Sequence, residues 1–453
     1  MMKINPDIFR SYDVRGIYPT DINEETVFLI AKAYVKRFNV KKVVVAGDVR
    51  TSTPSLKSSM TKGLLEAGAS VIDIGIVTTD MMLFSVGHLE TDGGIIISAS
   101  HNPREYNGMK IVLKGAMPVS SVNKLFELRD MLIDGNDLET GLPPGKTEFL
   151  NIIPAYVSHV RNFIDFSSLK SFNIVANPSF GMAGVVVQEV LKGAPIIFHF
   201  LNEIPNGEFP KGPPNPLLPE NQGETSQLVR NLKANLGVAW DGDADRCFFF
   251  DENGEFIPPY YMSALFSEIF LSGSKPGNNK KILHDTRLTW VIEDTVKKNG
   301  GIPIMSKAGY TFIKERMRKE EIVFGSETSG HYFFRENYYS DNGMIPFLLM
   351  LEEMSITDKK PSELIAPFKA GSFISGEINF ETTDVKNLVK KVTDFYRNQG
   401  GVVLDVDGVS FEFDDWRFNI RGAANEPLIR LNIESRDKKI LEDKISEITK
   451  LLS

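Results

Sequence analysis

The chain repeats one construction three times: an apolar run rich in β-branched residues, then a polar turn, then a segment with helical periodicity. The three apolar runs are Val43–Ala46, Phe172–Ala176 and Lys281–Leu283. Strand–turn–helix units build sheets with parallel strands, and the loops at the carboxyl ends of those strands carry the functional groups. The sequence therefore predicts an α/β protein with three similar domains, each built on a mixed, mostly parallel sheet.

The last part of the chain follows a different pattern, which predicts a separate C-terminal α+β domain. Its expected strands and helices are Ile374–Phe380, Val385–Gln399, Gly401–Leu404, Val409–Phe413, Trp416–Ile420, Leu428–Leu431 and Asp437–Leu452. A chain of 453 residues has room for about two to four domains. We place them at 1–148, 149–252, 253–370 and 371–453. The proline-rich segment 205–221 is expected to be an irregular loop over the second domain.

Composition and charge are those of a globular protein without nucleic-acid or membrane partners. Hydrophobic residues make up 42% of the chain and charged residues 24%, as in ordinary globular proteins. The net charge of −8 does not indicate the clustered positive charge that binds nucleic acid. No apolar run approaches the ~20 residues of a membrane span. The single cysteine, Cys247, excludes an internal disulfide framework and fits a cytoplasmic location. Its apolar neighbours predict a core residue rather than a reactive thiol.

A polar turn, Ser98–Pro103, follows the apolar run Gly94–Ile97. The turn places the hydroxyl of Ser100, an imidazole and an amide above the end of an expected buried strand. Taken alone, the segment fits two interpretations. Its side chains bond their own backbone in an ordinary turn, or the hydroxyl takes part in chemistry.

Three aspartates at alternate positions, Asp241, Asp243 and Asp245, follow the apolar run Leu236–Trp240. In an extended loop alternate side chains point the same way, so we expect the three carboxylates to converge. Converging carboxylates hold Mg²⁺-type cations, and a solvated acidic turn is the alternative. An EF-hand is disfavoured because Arg246 stands where such a loop needs glycine. A serine beside a Mg²⁺ site suits phosphoryl transfer.

Two further polar turns follow expected strands in the second half of the chain. The turn Gly325–His331 supplies a carboxylate, Glu327, and a hydroxyl, which together suit paired sugar hydroxyls. A capped turn explains the same residues. In Arg421–Pro427 small residues let backbone N–H groups approach an anion beside a guanidinium. A tight hairpin is the alternative there.

These four loops occur in the same order in the α-D-phosphohexomutase family, and the chain most resembles its phosphomannomutase/phosphoglucomutase branch. The resemblance covers essentially the whole chain. It rests on Phe9–Gly16, Ser98–Pro103, Tyr106–Lys110, Asp241–Arg246 and Glu327–His331, and on connecting segments such as Gly207–Pro210, Ile313–Met317 and Met344–Pro346. It implies four domains around a central cleft, each contributing one loop.

The resemblance also implies roles for single residues. Ser100 would carry the phosphoryl group, and its phosphate together with Asp241, Asp243 and Asp245 would bind one Mg²⁺. The implied catalytic set is Ser100, His101, Lys110, Arg246 and Arg15. The implied substrate-binding set is Glu327 and Ser329 for sugar hydroxyls, Arg421 and Asn425 for the phosphate that is not reacting, and in addition Tyr12, Lys307, Tyr310 and His331.

By the same resemblance the chain interconverts hexose 1-phosphate and hexose 6-phosphate, of mannose and/or glucose. The phosphoserine gives its phosphoryl group to the substrate, and a hexose 1,6-bisphosphate is both the intermediate and the activator. Water must be kept from the phosphoserine, and a hinged last domain is the expected device. The expected partner is the phosphohexose substrate, with the protein a monomer or a homodimer.

Three departures from the family pattern leave alternatives open. Tyr310 follows Lys307–Gly309 where the family has a histidine, and a phenol is a poor base near neutral pH. Ala423 and Asn425 replace a serine and a threonine, which removes two hydroxyl donors and adds one amide. Val45–Asp48 lacks the arginine common before its aspartate. The alternatives are a phosphoglucosamine mutase, a phosphosugar-binding relative with weak catalysis, and a Mg²⁺-dependent phosphatase that uses the same serine.

Overall fold

The computed structural model describes residues 4–121, 124–273, 280–423 and 427–452. The chain forms two compact units, which we call the first and the second unit. The first unit comprises Met1–Ile257 and Ser329–Pro361, and the second comprises Pro258–Thr328 and Ser362–Ser453. The chain therefore returns from the second unit to the first within the predicted sugar-binding turn.

In chain order the described strands are β1 Val14–Ile17, β2 Lys42–Gly47, β3 Ser70–Ile76, β4 Gly93–Ile97, β5 Tyr106–Leu113, β6 Met117–Pro118, β7 Thr147–Phe149, β8 Phe172–Asn177, β9 Ile196–Phe200, β10 Leu236–Trp240, β11 Cys247–Phe250, β12 Phe256–Ile257, β13 Lys281–Asp285, β14 Ile302–Ser306, β15 Phe324–Ser326, β16 Tyr332–Phe334, β17 Ser340–Asp341, β18 Phe373–Glu381, β19 Val402–Leu404, β20 Val409–Glu412, β21 Trp416–Gly422 and β22 Leu428–Ser435. The described α-helices are α1 Glu24–Phe38, α2 Thr53–Glu66, α3 Thr79–His88, α4 Leu125–Ile133, α5 Ile153–Arg161, α6 Ala183–Val190, α7 Gly223–Leu232, α8 Pro259–Leu271, α9 Trp290–Lys298, α10 Tyr310–Glu320, α11 Met344–Thr357, α12 Pro361–Lys369, α13 Val385–Arg397 and α14 Lys438–Leu452. Short 3₁₀ helices lie at Pro6–Ile8, Lys114–Ala116, Phe166–Ser168, Pro219–Asn221 and Arg335–Asn337.

The larger sheet of the first unit has the order β1-β5-β4-β2-β3-β7, with β6 paired to β5. β2 runs parallel to β4 and β3, whereas β5 is antiparallel to β4 and β1. Every residue of β4 is buried, as expected for a strand that is covered on both faces. Since β2, β3 and β4 run in the same direction, the loops that follow them lie at one edge of this sheet.

The smaller sheet of the first unit has the order β12-β11-β10-β8-β9. β8 is parallel to β9 and to β10, and β10 turns back into the antiparallel β11. All residues of β10 and β11 are buried. Cys247 opens β11 as the core residue expected, and burial raises the pKa of its thiol well above the ordinary value. β16 and β17 form an antiparallel pair in the same unit.

The second unit contains the parallel strands β14, β13 and β15 and a C-terminal antiparallel sheet. That sheet has the order β18-β22-β21-β20-β19. Its core is aromatic: the ring centroid of Tyr396 on α13 lies 4.9 Å from that of Phe418, which stacks on Trp416 at 5.5 Å. Burial of each such ring contributes about 1.5–3 kcal/mol, so these rings fix α13 against the sheet.

The predicted fold class is confirmed. The runs Val43–Ala46, Phe172–Ala176 and Lys281–Leu283 are strands β2, β8 and β13, and each is followed by a helix. The C-terminal segment alternates strands and helices as an α+β domain, and its predicted strand Leu428–Leu431 extends to Ser435. The limits set for the four domains stay predictions. In the ranges that the structure describes, no helix combines the length and the apolar character needed to cross a membrane.

The proline-rich segment 205–221 differs from the expectation in two respects. It is irregular for most of its length, but Pro219–Asn221 forms a 3₁₀ helix because proline is favourable in the first helical turn. It also packs on the loop after β2 rather than only over the predicted second domain. A Cβ on Gly207 would lie 2.3 Å from the carbonyl oxygen of Val49, so only glycine permits this approach.

Candidate active site

Ser100 occupies the loop after β4 with its side chain directed at the aspartates of the second sheet. Its backbone is left-handed, with φ of 48°, and its amide donates to the Ser98 hydroxyl at 3.0 Å. The Ser100 hydroxyl donates to Asp241 Oδ2 at 2.7 Å and lies 3.2 Å from His101 Nδ1. Ser100 is 5% exposed. The structure therefore brings the predicted serine and the first predicted aspartate into direct contact.

The three aspartates follow β10 on a tight turn. One carboxylate oxygen from each of Asp241, Asp243 and Asp245 lies within 4.8 Å of those from the other two. They converge as expected, but the expectation of an extended loop was wrong: Ala244 is left-handed, with φ of 59°, and its amide donates to Asp241 O. Gly242 is required there, because a Cβ would lie 2.7 Å from Ser100 O.

Cationic side chains surround the aspartates. Lys110 on β5 places its ammonium 2.8 Å from Asp243 Oδ2 and 2.5 Å from Asp245 Oδ2. Arg246 donates from Nε to Asp241 Oδ2 at 2.9 Å. All five side chains are buried, so these pairs are screened little by water.

Burial and neighbouring charge move the three carboxyl groups in different directions. Burial, together with the charges of Asp245 and Asp243, raises the pKa of Asp241 to about 6, against the opposing effect of Arg246. The pKa of Asp243 is lowered although burial opposes this, because Lys110 favours the ionised form. Lys110 and His331 likewise hold the pKa of Asp245 well below its ordinary value despite burial. At least two ionised carboxylates are thus held in a buried site.

The aspartate group fits a hard divalent cation. Asp243 Oδ1 and Asp245 Oδ1 are buried and accept no hydrogen bond from the described residues. A buried carboxylate oxygen without a donor is unfavourable unless a cation binds it. Carboxylate oxygens are also the ligands that Mg²⁺ takes in proteins. Three converging carboxylates and the adjacent hydroxyl of Ser100 form a suitable donor set.

Arg15, His101 and Tyr12 lie around the loop of Ser100. Arg15 on β1 donates from Nη1 to Ala99 O at 3.3 Å and also pairs with Asp13. Burial and the nearby Arg246 and Arg15 hold the pKa of His101 well below its ordinary value, so this imidazole is neutral at pH 7. Tyr12 is half-buried in the turn before β1.

His331 and Ser329 belong to the first unit. His331 Nε2 lies 3.6 Å from Asp245 Oδ1 and 3.9 Å from Asp341 Oδ2. Ser329 Oγ lies 3.0 Å from His331 Nδ1, and His331 forms an isolated β-bridge with Arg246. The structure therefore places His331 beside the aspartate group, which the sequence did not indicate.

Glu327 follows β15 in the second unit, where its carboxylate is fixed by the loops of two neighbouring strands. Gly309 N donates to Glu327 Oε1 at 2.7 Å, and Arg287 Nη2 lies 3.3 Å from the same oxygen. Arg287 in turn pairs with Asp285 Oδ2 at 2.6 Å, and its charge lowers the pKa of that carboxyl despite burial. Glu327 thus has a defined orientation at the end of its strand.

Lys307 and Tyr310 lie at the start of α10. Lys307 is exposed, and its ammonium lies 4.9 Å from the ring centroid of Phe312. Tyr310 is the first residue of α10 and is half-buried. The ammonium of Lys314 lies 5.0 Å from the Tyr310 ring centroid, a distance at which a cation is attracted to an aromatic face.

Arg421 lies near the end of β21, directly opposite Arg430 of β22. Glu377 of β18 pairs with both, at 3.3 Å from Arg421 and 3.5 Å from Arg430. Glu377 thus offsets both guanidinium groups, whose planar N–H groups are suited to a phosphate. Ala423 donates its amide to Leu428 O at 2.9 Å. Asn425 lies outside the described residues.

Sequence reasoning missed several residues that position these groups. Thr79 donates its hydroxyl to Asp243 Oδ2 at 2.6 Å; Arg50 and Arg287 hold the loops of Ser100 and Glu327. Thr79, Arg50 and Arg287 follow strands β3, β2 and β13. Each of them follows the carboxyl end of a parallel strand, and this position is the sequence signal that could have identified them as site residues.

Family models of "Phosphoglucomutase/phosphomannomutase, alpha/beta/alpha domain" match three stretches of the chain. Domain I matches residues 6–127, domain II residues 154–254 and domain III residues 258–370. The chain belongs to this family. The family inferred from the sequence motifs is thereby confirmed.

Relatives of known name support the same assignment within the phosphoglucomutase/phosphomannomutase family. The chain is 41% identical over 445 residues to the phosphohexose mutases of Xanthomonas campestris pv. campestris, covering 98% of each chain. It is 41% identical over 456 residues to a phosphomannomutase of Vibrio cholerae, again covering 98% of each. The expected class of enzyme, a phosphohexomutase, is thereby confirmed.

A solved structure from the same family has the same fold. It is a phosphoglucomutase/phosphomannomutase family protein from Burkholderia thailandensis, with 27% identity and a TM-score of 0.89. The match covers 99% of this chain and 97% of that chain. The described architecture is therefore that of the family.

Proposed function

We propose that this phosphohexomutase interconverts hexose 1-phosphate and hexose 6-phosphate, of mannose and/or glucose, through a phosphoserine at Ser100. The observation that carries the proposal is the hydrogen bond of 2.7 Å from Ser100 Oγ to Asp241 Oδ2. It joins a hydroxyl from the loop after β4 to a carboxylate group from the loop after β10. A hydroxyl in contact with a cation site suits phosphoryl transfer, in which the protein positions groups and neutralises charge.

The reaction consists of two phosphoryl transfers in opposite directions. The bond between phosphorus and Ser100 Oγ breaks, and the free hydroxyl of the hexose monophosphate forms the new bond to phosphorus. The proton of that hydroxyl ends on Ser100 Oγ. The hexose 1,6-bisphosphate then presents its other phosphate, which returns to Ser100 Oγ while the departing sugar oxygen takes the proton. Added hexose 1,6-bisphosphate acts as the activator because it phosphorylates Ser100.

The side chains of the first unit organise the charge. Asp241, Asp243 and Asp245, with the oxygen on Ser100, would hold Mg²⁺, which supplies electrostatic stabilisation of the transferring group when it is bound. A phosphoserine adds about −1.5 to −2 charges, so Lys110 and the other nearby cations must offset several negative groups. Arg246 and Arg15 add guanidinium groups suited to phosphate, and the neutral His101 can donate or accept a hydrogen bond.

The remaining residues serve the sugar and the phosphate that is not reacting. In the second unit Glu327, Lys307 and Tyr310 offer groups for sugar hydroxyls, and Arg421 offers a guanidinium to the phosphate. Asn425, which lies outside the described residues, is assigned to the same phosphate. Tyr12, Ser329 and His331 of the first unit contact the substrate. The protein acts in the cytoplasm as a monomer or a homodimer, with the phosphohexose as its partner.

The direct test is an activity assay on the purified protein. It receives Mg²⁺, a trace of hexose 1,6-bisphosphate and mannose 1-phosphate or glucose 1-phosphate, and formation of the 6-phosphate is measured. We expect turnover that Ser100→Ala abolishes while the circular dichroism spectrum is unchanged. Turnover of glucosamine phosphate only, binding without turnover, or release of inorganic phosphate without the bisphosphate would each replace the proposal by one of the alternatives.

A further inference from the structure

Arg50 uses its guanidinium to hold the backbone of the loop that carries Ser100. It lies in the turn after β2 and is 1% exposed. Its Nη1 donates to two carbonyl oxygens and its Nη2 to two more, all within seven residues of the loop. These are Pro103 O at 2.7 Å, Tyr106 O at 3.0 Å, Ser100 O at 2.9 Å and Asn102 O at 2.7 Å.

The guanidinium of Arg50 is itself held from two further sides. Asp48 Oδ2 lies 3.3 Å from Arg50 Nε, and Asp48 Oδ1 accepts from the Arg50 amide at 3.0 Å. The ring of Phe209 covers the group, with its centroid 5.0 Å from Arg50 Cζ. A guanidinium stacked on an aromatic ring and paired with a carboxylate has one orientation.

The loop needs such a support for two reasons. Ser100 has a left-handed backbone, which is unfavourable for a residue with a Cβ and persists only where surrounding contacts enforce it. In addition, a phosphate on Ser100 would be repelled by the three aspartates. Fixed carbonyl groups would oppose this repulsion and keep Ser100 beside Asp241.

We propose that Arg50 is a positioning residue for phosphoryl transfer: it fixes the loop of Ser100 so that Oγ stays directed at the aspartate group. The inference rests on the proposed function. Arg50 does not bind the substrate, because both terminal nitrogens of its guanidinium are already committed to carbonyl oxygens. Lysine cannot replace it, since a single ammonium presents three donors from one point and lacks the planar fork.

The test compares Arg50→Lys with the wild-type protein. In a single turnover, glucose 1,6-bisphosphate transfers a phosphoryl group to Ser100 Oγ, and the hydroxyl proton passes to the departing sugar oxygen. The phosphorylated fraction is followed by intact-protein mass spectrometry. We expect this rate and kcat to fall by about a hundredfold, the effect of a small misplacement of the reacting group. KM should change by less than about threefold, because Arg50 makes no substrate contact.

A matched control is Arg161→Lys. Arg161 also holds three carbonyl oxygens in the first unit, at the end of α6: Glu189 O, Val190 O and Lys192 O. We expect this variant to lose thermal stability and to keep the wild-type transfer rate and kcat. Equal losses of kcat in both variants would overturn the positioning role.

A second variant keeps the inference testable if Arg50→Lys does not fold. Phe209→Leu removes the ring from the guanidinium but leaves the carbonyl contacts of Arg50 in place. We expect a smaller loss, about tenfold in the transfer rate, with KM retained. Wild-type transfer rates in the folded variants would overturn the inference. An inactive wild-type protein would instead contradict the proposed function, so the two failures are distinguishable.

Discussion

Lys110 Nζ lies 2.8 Å from Asp243 Oδ2 in a buried part of the first unit. The same ammonium also pairs with Asp245, so one cation offsets two carboxylates. Removing one partner of a buried ion pair leaves an uncompensated charge, which is costly. The relationship therefore determines both the stability of the site and its affinity for a cation.

Replacement of Lys110 by methionine should destabilise the protein in the absence of Mg²⁺. We expect a loss of about 3–5 kcal/mol in the free energy of unfolding, because two buried carboxylates lose their cation. Added Mg²⁺ should recover part of the loss. Urea denaturation with and without Mg²⁺ measures both effects. Lys57→Met, which breaks the half-buried pair with Asp73, is the control and should show no dependence on Mg²⁺.

Binding of Mg²⁺ should depend on the aspartate group. Titration of the wild-type protein with Mg²⁺ should raise the melting temperature. At a Mg²⁺ concentration of 100 times Kd, binding adds about 2.7 kcal/mol to the free energy of unfolding. Asp243→Asn should abolish the rise, and a chelator should stop turnover. The control is Asp251→Asn, since Asp251 is buried after β11 and accepts only backbone donors in the described contacts. A cation-induced shift retained in Asp243→Asn would contradict the assignment.

Asp80 should make stability depend on pH. Burial raises its pKa to about 7 despite hydrogen bonds from Thr78 and Tyr156, against an ordinary value of 3.8. The folded state therefore keeps a proton that the unfolded chain loses, so stability falls as pH rises from about 4 to about 7, by an amount on the order of a few kcal/mol. Asp80→Asn should remove the part of this decrease in stability that is due to Asp80. Urea unfolding of the wild type and of Asp80→Asn across that pH range measures the effect. An equal pH dependence of the free energy of unfolding in both proteins would refute the prediction.

Arg421 should contribute to substrate affinity rather than to the rate of transfer. Arg421→Lys retains the charge but loses the planar fork, so we expect KM to rise about tenfold with kcat nearly unchanged. Steady-state kinetics with the hexose 1-phosphate measures both constants. Arg436→Lys is the control, because Arg436 pairs with Asp294 at an exposed position of the same unit. A fall in kcat alone would place Arg421 in a different role.

Tyr310, assigned above to the sugar hydroxyls, should limit the rate because a phenol exchanges protons with them poorly near neutral pH. Tyr310→His introduces a group with an ordinary pKa of about 6.5, and we expect kcat to rise by about tenfold with a new inflection in its pH profile. Tyr310→Phe separates the hydroxyl from the ring. Loss of activity in Tyr310→His would show that the hydroxyl itself is needed.

Much of the site was predictable because its residues follow apolar strands. Ser100 and Asp241 are marked by the buried runs of β4 and β10 that precede them, and both loops lie at the carboxyl ends of parallel strands. Helical periodicity and apolar runs likewise predicted the fold class. Within the site, the fine conformation of the aspartate loop differed from the expectation, since the left-handed Ala244 has no signature in residue type.

The remaining contacts could not be predicted because their partners are distant in sequence or belong to the backbone. Arg50 binds carbonyl oxygens about 50 positions away, and every residue type carries a carbonyl. Asp80 meets Tyr156 across 76 positions. His331 reaches Asp245 because the chain returns to the first unit after Thr328. The local sequence pattern contains no information on contacts between residues this far apart in the chain.

The buried thiol at the start of β11 has a practical consequence for spectroscopy. Cys247 is the chain's sole sulfhydryl, and it is enclosed by the core with little tendency to form a thiolate. Maleimide dyes and spin labels need an accessible thiolate. A cysteine introduced at an exposed position such as Lys62 would therefore accept a probe selectively, with no need to replace the native residue first.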